Sequence, residues 1–354
     1  MDLRVYLDDL EGRLDEGVEA VLWEDWRQFS VGRWKEPVFA PRRPAANPPK
    51  VDWPKLRINA ALADPDLMVL HQMAECSRIL SSAGGLVLAV RANYGTPIMA
   101  APLGCEVFIM PDETDTLPAA KPLPDGSDGV KAILDRGELP VDHPYLEKVM
   151  TMGWRLAAIG KEYPKIGRHV HVYHPDMQGS MDILEMVWGS SFFLEVYDRP
   201  QMVHDFLDLI TRFYIKVLKK WQEIIPPRTD GLAVHWGMVH RGTIMLREDS
   251  AMNLSPEIFD EFIRPYEQRL LNAFGGGAMH ACGRVDHFTR YLARMPGLHA
   301  FNMSQPHLND MDKVLQETVG QGLRLIGLDR KAAAAAMERG VALQGRVHCG
   351  GDGW

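Results

Sequence analysis

The chain is poor in cysteine, with four in 354 residues. So few thiols exclude a disulfide framework and fit a reducing cytoplasm. No run approaches eighteen consecutive apolar residues, and the opening Met1-Asp2-Leu3-Arg4 has no apolar segment of signal-peptide type, so neither a membrane span nor export is expected. Basic excess is missing too. The formal net charge is −8 and the pI about 5.9, which leaves no electrostatic footprint for nucleic acid or an anionic membrane. A glycine-rich phosphate loop is also lacking, which argues against an open dinucleotide-binding sheet. What remains is ordinary globular composition, 46% hydrophobic and 24% charged, enough for one large core or two domains.

Residues 1–80 read as an N-terminal extension. Leu3, Leu7, Leu10, Leu14, Val18 and Val21-Leu22 recur at helical spacing, Trp23, Trp26 and Trp34 follow, and a proline-rich connector runs from Pro37 to Pro54. A second helix is expected over 58–82, with Asp64-Pro65 as a start signal. From residue 81 the pattern becomes a βα alternation. Apolar runs near 86, 169, 231, 278, 298, 323 and 345 are separated by helical segments, and an eighth strand is expected within 97–120 or 240–247. That rhythm predicts a (β/α)8 barrel over 81–354, with 97–144 as an excursion that would serve as a lid.

A barrel gathers its site at the C-terminal ends of its strands. His280 and Cys282 lie two apart, so on a strand their side chains leave one face. Cys349 closes another short apolar run far downstream. Two thiolates and an imidazole form a ligand set suited to zinc, and three protein ligands leave a fourth position for water or substrate. Arg91 and Tyr94 stand in the polar loop after the first strand, His174, Asp176 and Asp182 in the turn after the second, and His235 and His240 near the third. These are candidate substrate-binding residues. Asp176 is the first choice for acid, base or polar-substrate contact, whereas Asp182 would equally favour the N-terminus of its helix.

At this point the residues become recognisable. Ser255-Pro256-Glu257-Ile258-Phe259-Asp260-Glu261-Phe262, Arg264-Pro265-Tyr266 and His280-Ala281-Cys282-Gly283 resemble the uroporphyrinogen decarboxylase superfamily, as do Asp176 to Asp182, Trp188-Gly189 and Tyr197-Asp198-Arg199-Pro200. The resemblance covers roughly 80–350. The metal-free decarboxylases carry an Arg-x-Ala-Gly-Arg-Tyr segment, which Arg91-Ala92-Asn93-Tyr94-Gly95 only approximates. The zinc pattern of the cobalamin-dependent methyltransferase branch, His-x-Cys and then a distant Cys, is matched at His280, Cys282 and Cys349. That branch implies a cytoplasmic enzyme that moves a methyl group between a corrinoid, carried on a separate protein, and a small thiol or methylated donor. Glu248 then becomes a candidate fourth ligand or catalytic acid, with His235 and His240 as rivals. Relatives continue past the third ligand with another helix. Here the chain ends four residues after Gly350, so a neighbouring subunit in a homodimer, or the N-terminal extension, is expected to cover that edge, with Trp354 as a plug. The alternatives are a metal-independent lyase of the decarboxylase type, a zinc-dependent thiol lyase or transferase without corrinoid, and a non-catalytic protein with structural zinc.

Overall fold

The computed structural model describes residues 2–350. It is a mixed α/β structure whose centre is a parallel six-stranded sheet. In chain order the strands are β1 (Val38–Phe39), β2 (Leu88–Val90), β3 (Glu106–Phe108), β4 (Ala119–Lys121), β5 (Val170–Val172), β6 (Leu232–His235), β7 (Met238–Arg241), β8 (Ile244–Arg247), β9 (Gly277–Ala281), β10 (Leu298–Met303), β11 (Arg324–Leu328) and β12 (Val347–Cys349). The large sheet runs β1-β12-β11-β10-β9-β8, and β2 pairs β5 in parallel. Helices separate consecutive parallel strands, because each such strand must return to the same end before the next begins. Their starts follow the expected signals. The Asp64 carboxylate accepts from the amides of Asp66 and Leu67 ahead of Pro65, and Ser255 Oγ accepts from the Ile258 amide ahead of Pro256.

Two features depart from the sequence reading. The run 231–236 is no member of the parallel sheet: β6 turns at once into β7 as an antiparallel hairpin, and the strand beside β9 is β8. The turn is two residues, Trp236 and Gly237, both at positive φ (50° and 76°), as a two-residue hairpin loop of this hand requires. The second concerns the proline-rich connector, which supplies a strand to the large sheet: β1 pairs in parallel with β12, so the N-terminal segment covers that edge, one of the two outcomes expected. Trp354 lies outside the described residues.

A single apolar cluster explains both. Phe39, Met245, Ala278, Ala300 and Ile326 point to one face of the large sheet, and against them pack Leu232, Val234, Met238 and Val239 of the hairpin. Beneath the hairpin lies the helix Glu16–Ser30, through Leu22, Trp26 and Phe29. Trp26 Nε1 donates to the Gly85 carbonyl at 2.8 Å, and its ring meets those of Phe39 and His348 at 4.9 and 4.4 Å. The opposite face of the sheet is covered by the main core, which includes Leu246, Met279, Leu325 and Val347. Within the excursion 97–144, β3 and β4 form an antiparallel hairpin, followed by a helix at Gly126–Arg136.

The connector is fastened by a buried ion pair. Arg43 sets Nε and Nη2 at 2.7 and 2.6 Å from the two oxygens of Glu19, and Nη1 donates to the carbonyls of Gly84 and Leu86. Both side chains are nearly inaccessible, so removing one charge strands the other in a medium that cannot solvate it. Arg43→Met should lower the unfolding free energy by about 3–5 kcal/mol in urea titrations, and Arg43→Met with Glu19→Met should lose less than either single change.

Candidate metal centre and its surroundings

Alternation along β8 and β9 builds the site. Met245 lies in the cluster beneath the hairpin, so Arg247 and, just beyond the strand, Asp249 follow it on the same face. On β9 the same reasoning runs from Ala278 through His280 to Cys282. Arg247 and His280 are register partners. One nitrogen of His280, the thiol of Cys282 and one carboxylate oxygen of Asp249 all come within 4.8 Å of one another. The Nε2 to Sγ distance is 3.3 Å and the Nε2 to Asp249 Oδ1 distance 3.5 Å. Tetrahedral zinc bonds to nitrogen, sulfur and oxygen would put such pairs about 3.4–3.6 Å apart.

The imidazole is oriented from behind. Asn302 Nδ2 donates to the Ile326 carbonyl at 2.6 Å, which turns its Oδ1 toward His280 Nδ1 at 2.6 Å. Nδ1 therefore carries the proton, and the Nε2 lone pair faces the thiol and the carboxylate. Burial lowers the basicity of His280, opposed by Asp249, so the ring is the neutral form a metal needs. Burial also pushes the Cys282 thiol up to about 11, with Ser304 Oγ as its hydrogen-bond partner at 3.5 Å. Asp249 Oδ1 accepts from the Cys282 amide at 2.8 Å, and the amides of Asp249 and Ser250 donate to Asp182 at 2.9 and 2.7 Å. Asp182 is thus a loop anchor, and burial beside Asp249 holds its carboxyl up at about 8.

Cys349 does not join this group. It sits on the side of β12 taken by Val347, buried within the main apolar core, while His348 turns to the opposite face against Trp26. Glu248 does not join either. It points away from the hairpin, completely buried, toward Glu267 and Gly179. Burial and the neighbouring Glu267 push it well above the ordinary carboxylate range, and Glu267 Oε1 accepts from the Ser180 amide at 2.9 Å. The acid that faces the site is its neighbour Asp249.

Asp176 is a counter-ion. Arg91 Nη1 and Arg247 Nε stand 3.1 and 3.3 Å from its oxygens, and Gln178 Nε2 donates at 2.6 Å. Burial pushes its carboxyl up, but the two guanidiniums and the amide outweigh burial and hold it at about 2. A group so acidic is ionised at neutral pH and too weak a base for proton abstraction. Arg91 is correspondingly tied down, with Nε on Asn93 Oδ1 at 2.9 Å.

The remaining candidates lie apart from the Asp249–His280–Cys282 group. Tyr94 is buried, with its ring under the Lys148 ammonium and its carbonyl accepting from Tyr145 Oη at 2.7 Å. His174 bridges two strands: Nδ1 meets the Pro175 carbonyl at 2.8 Å, and Nε2 accepts from the Met245 amide at 3.0 Å. His235 and His240 lie in the hairpin, 2.8 Å apart through Nδ1 and Nε2.

Sequence reasoning passed over Asp249, Asn302 and Trp236. The alternation from Met245 would have found the first, and a lone asparagine in the apolar run Leu298 to Met303 was a signal for the second. Trp236 offered no signal. Its ring lies edge-on to His280 at 5.1 Å, with the Arg247 guanidinium 5.0 Å from its centroid. Beside it opens a cavity of about 700 Å3, whose walls include Trp236, His280, Asn302, Met303, Leu328 and Arg330.

Compared with protein-family profiles and with curated proteins, the chain matches none. Among the described residues no helix is long and apolar enough to cross a membrane.

Because the carboxyl of Asp176 is depressed, the stability it contributes is complete above the unfolded-state value near 3.9 and is lost as pH falls toward 2. Asp176→Asn should therefore cost about 3–5 kcal/mol between pH 5 and 8, by denaturant titration, and that difference should shrink steadily below pH 4.

Proposed function

We propose that this protein is a zinc-dependent methyltransferase on a (β/α)8 barrel, transferring a methyl group between a corrinoid and a small thiol or methylated donor. The observation that carries the metal reading is the His280 Nε2 lone pair, fixed by Asn302 and set 3.3 and 3.5 Å from the Cys282 thiol and the Asp249 carboxylate. One nitrogen, one sulfur and one oxygen form a donor set that zinc accepts, and three protein ligands leave room for an exogenous fourth.

Contacts at the sheet edges support the barrel. Between β5 and β8, the Gly179 amide donates to the Arg247 carbonyl at 2.6 Å, and His174 takes the Met245 amide. Between the chain after β1 and the chain before β2, the Arg43 amide donates to the Ala83 carbonyl at 3.2 Å. Continued in the same way, these links would close β1, β12, β11, β10, β9, β8, β5 and β2 into the ring of eight parallel strands that this reading requires.

Zinc at this position would stabilise an exogenous thiolate, or polarise the heteroatom of a methyl donor, at neutral pH. The protein's part is to hold the ligands before the ion arrives. Asn302 sets the imidazole tautomer, Asp182 fixes the loop that carries Asp249, and the Trp236 ring floors the cavity where the small substrate would lie. Asp249 is 43% exposed at its side chain and Cys282 is half-buried, so the position is reachable from outside, as a corrinoid carried on a separate protein requires. The choice of methyl transfer within that chemistry rests on the superfamily resemblance.

Elemental analysis of purified protein should find one zinc per chain, lost in Cys282→Ser and Asp249→Ala and retained in Cys349→Ser and Glu248→Gln. Zinc lost only on Cys349→Ser would overturn the ligand set. An assay with free methylcobalamin and a panel of thiols tests the reaction, and stoichiometric zinc without turnover would refute methyl transfer while leaving the metal centre intact.

A further inference from the structure

A second cavity, of about 460 Å3, opens between β5 and the hairpin strand β6, a volume within the small-ligand range of about 300–1000 Å3. Its wall includes Val170 and Leu232, the first residues of those strands, whereas Asp249 and Cys282 stand past the ends of β8 and β9.

The open edge of β5 is the feature that needs a partner. The Tyr173 amide donates to the Val90 carbonyl at 3.0 Å, and β2 is the one strand paired with β5 among the described residues. Backbone groups of consecutive residues in a strand point to opposite sides, so the N–H and C=O of Val172 and the C=O of Val170 face away from β2. The Val170 N–H, on that same side, is taken by the Ile166 carbonyl. The other three groups have no backbone partner among the described residues, although such groups, away from water, are nearly always paired. The gap is short. Just past β5 it is closed by the Met245 amide on His174 Nε2 and the Gly179 amide on the Arg247 carbonyl, at 3.0 and 2.6 Å. An occupant therefore extends one or two residues along the strand and stops.

The rest of the wall suits a neutral backbone with an apolar side chain. Leu156, Ile166, Leu218, Trp221 and Val234 are apolar, and His171, Tyr173 and Gln222 add half-buried hydrogen-bonding groups. Burial pushes His171 down to about 3 and Tyr173 up, so both are uncharged at neutral pH. Of the basic wall residues, Arg168 is paired with Glu16 and Arg228 with Asp230, and Lys161 is exposed to solvent. In parallel pairing, one residue of an incoming strand gives its N–H to a carbonyl and takes the amide two positions further on, a pair that Val170 and Val172 offer.

We propose that this gap binds a short, extended, uncharged peptide with an apolar side chain, which lies parallel to β5 and pairs with the Val170 carbonyl and the Val172 amide. The site does not depend on the metal or on methyl transfer.

N-acetyl-leucine methylamide offers the N–H and C=O pair without terminal charges, and its analogue methylated on the leucine nitrogen keeps the apolar body without the donor. Titration calorimetry should give the first roughly tenfold tighter binding, and at saturation it should slow hydrogen exchange at the Val172 amide. Ala157 stands on the helical wall of the cavity, and Ala157→Phe should abolish binding of both with zinc content unchanged. Equal affinities in the wild type, no binding of either, unaltered exchange at Val172, or binding that survives Ala157→Phe would each overturn the proposal. The wild-type comparison decides the matter even where Ala157→Phe fails to fold.

Discussion

Alternation of side chains along the parallel strands is the constraint on which the site depends. On β8 and β9 the residues facing the hairpin are Met245, Arg247, Ala278 and His280, and the two positions just past the strand ends continue the same series with Asp249 and Cys282. A shift of one residue in either strand would send all of these into the main core. Because Arg247 and His280 are register partners, the Asp249–His280–Cys282 group and the Arg91–Asp176–Arg247 cluster occupy neighbouring parts of one surface. The chemistry is therefore set by pairing register before any individual contact is made.

Buried charge is handled on the two sides of β8 in opposite ways. On the hairpin side, Asp176 stays ionised because two guanidiniums and an amide replace the water it lost. On the core side, Glu248 has no cation among its neighbours, and burial beside Glu267 pushes its carboxyl well above the ordinary range. Consecutive residues Arg247, Glu248 and Asp249 thus have three fates: ion pair, buried acid, and part-exposed carboxyl group beside a histidine and a thiol. Only the last combines an accessible oxygen with soft neighbours, which is why it is the one fit for a metal.

Much of this was legible in the residues. The alternation of apolar runs and helices, the starts at Asp64-Pro65 and Ser255-Pro256, and the shared face of His280 and Cys282 all follow from local periodicity and capping. What escaped was tertiary. A two-residue strand in a proline-rich connector has no periodicity to read, yet β1 closes the edge of the sheet against β12. The run Leu232 to Trp236 looks like a buried parallel strand, and only Gly237, where an added Cβ would stand 2.7 Å from the Val87 carbonyl, betrays the close approach that forces the turn. Cys349 enters the expected ligand set through its residue type at the end of an apolar run, and through the superfamily pattern. In a three-residue strand its facing is decided by packing of Val347 and His348, which no spacing rule reveals. Glu248 is the candidate that the superfamily pattern offers ahead of the Ser255-Pro256 helix, whereas alternation from Met245 puts Asp249 on the face of the site.

Trp236 shows how these levels connect. A left-handed conformation costs a residue with a Cβ roughly 1–2 kcal/mol, and the first position of such a turn ordinarily takes asparagine, aspartate or glycine. Trp236 adopts it at φ 50°. The neighbouring Gly237 already permits the reversal, so turn geometry alone gives no reason for an indole there. The compensation must come from what the ring touches: the edge of His280, the guanidinium of Arg247 and the open cavity. An aromatic face under a cation contributes about 0.5–2 kcal/mol, comparable to the strain. The hairpin thereby links three requirements, filling one face of the sheet, covering a buried arginine and lining the cavity beside His280. A smaller turn residue would meet the first and fail the other two.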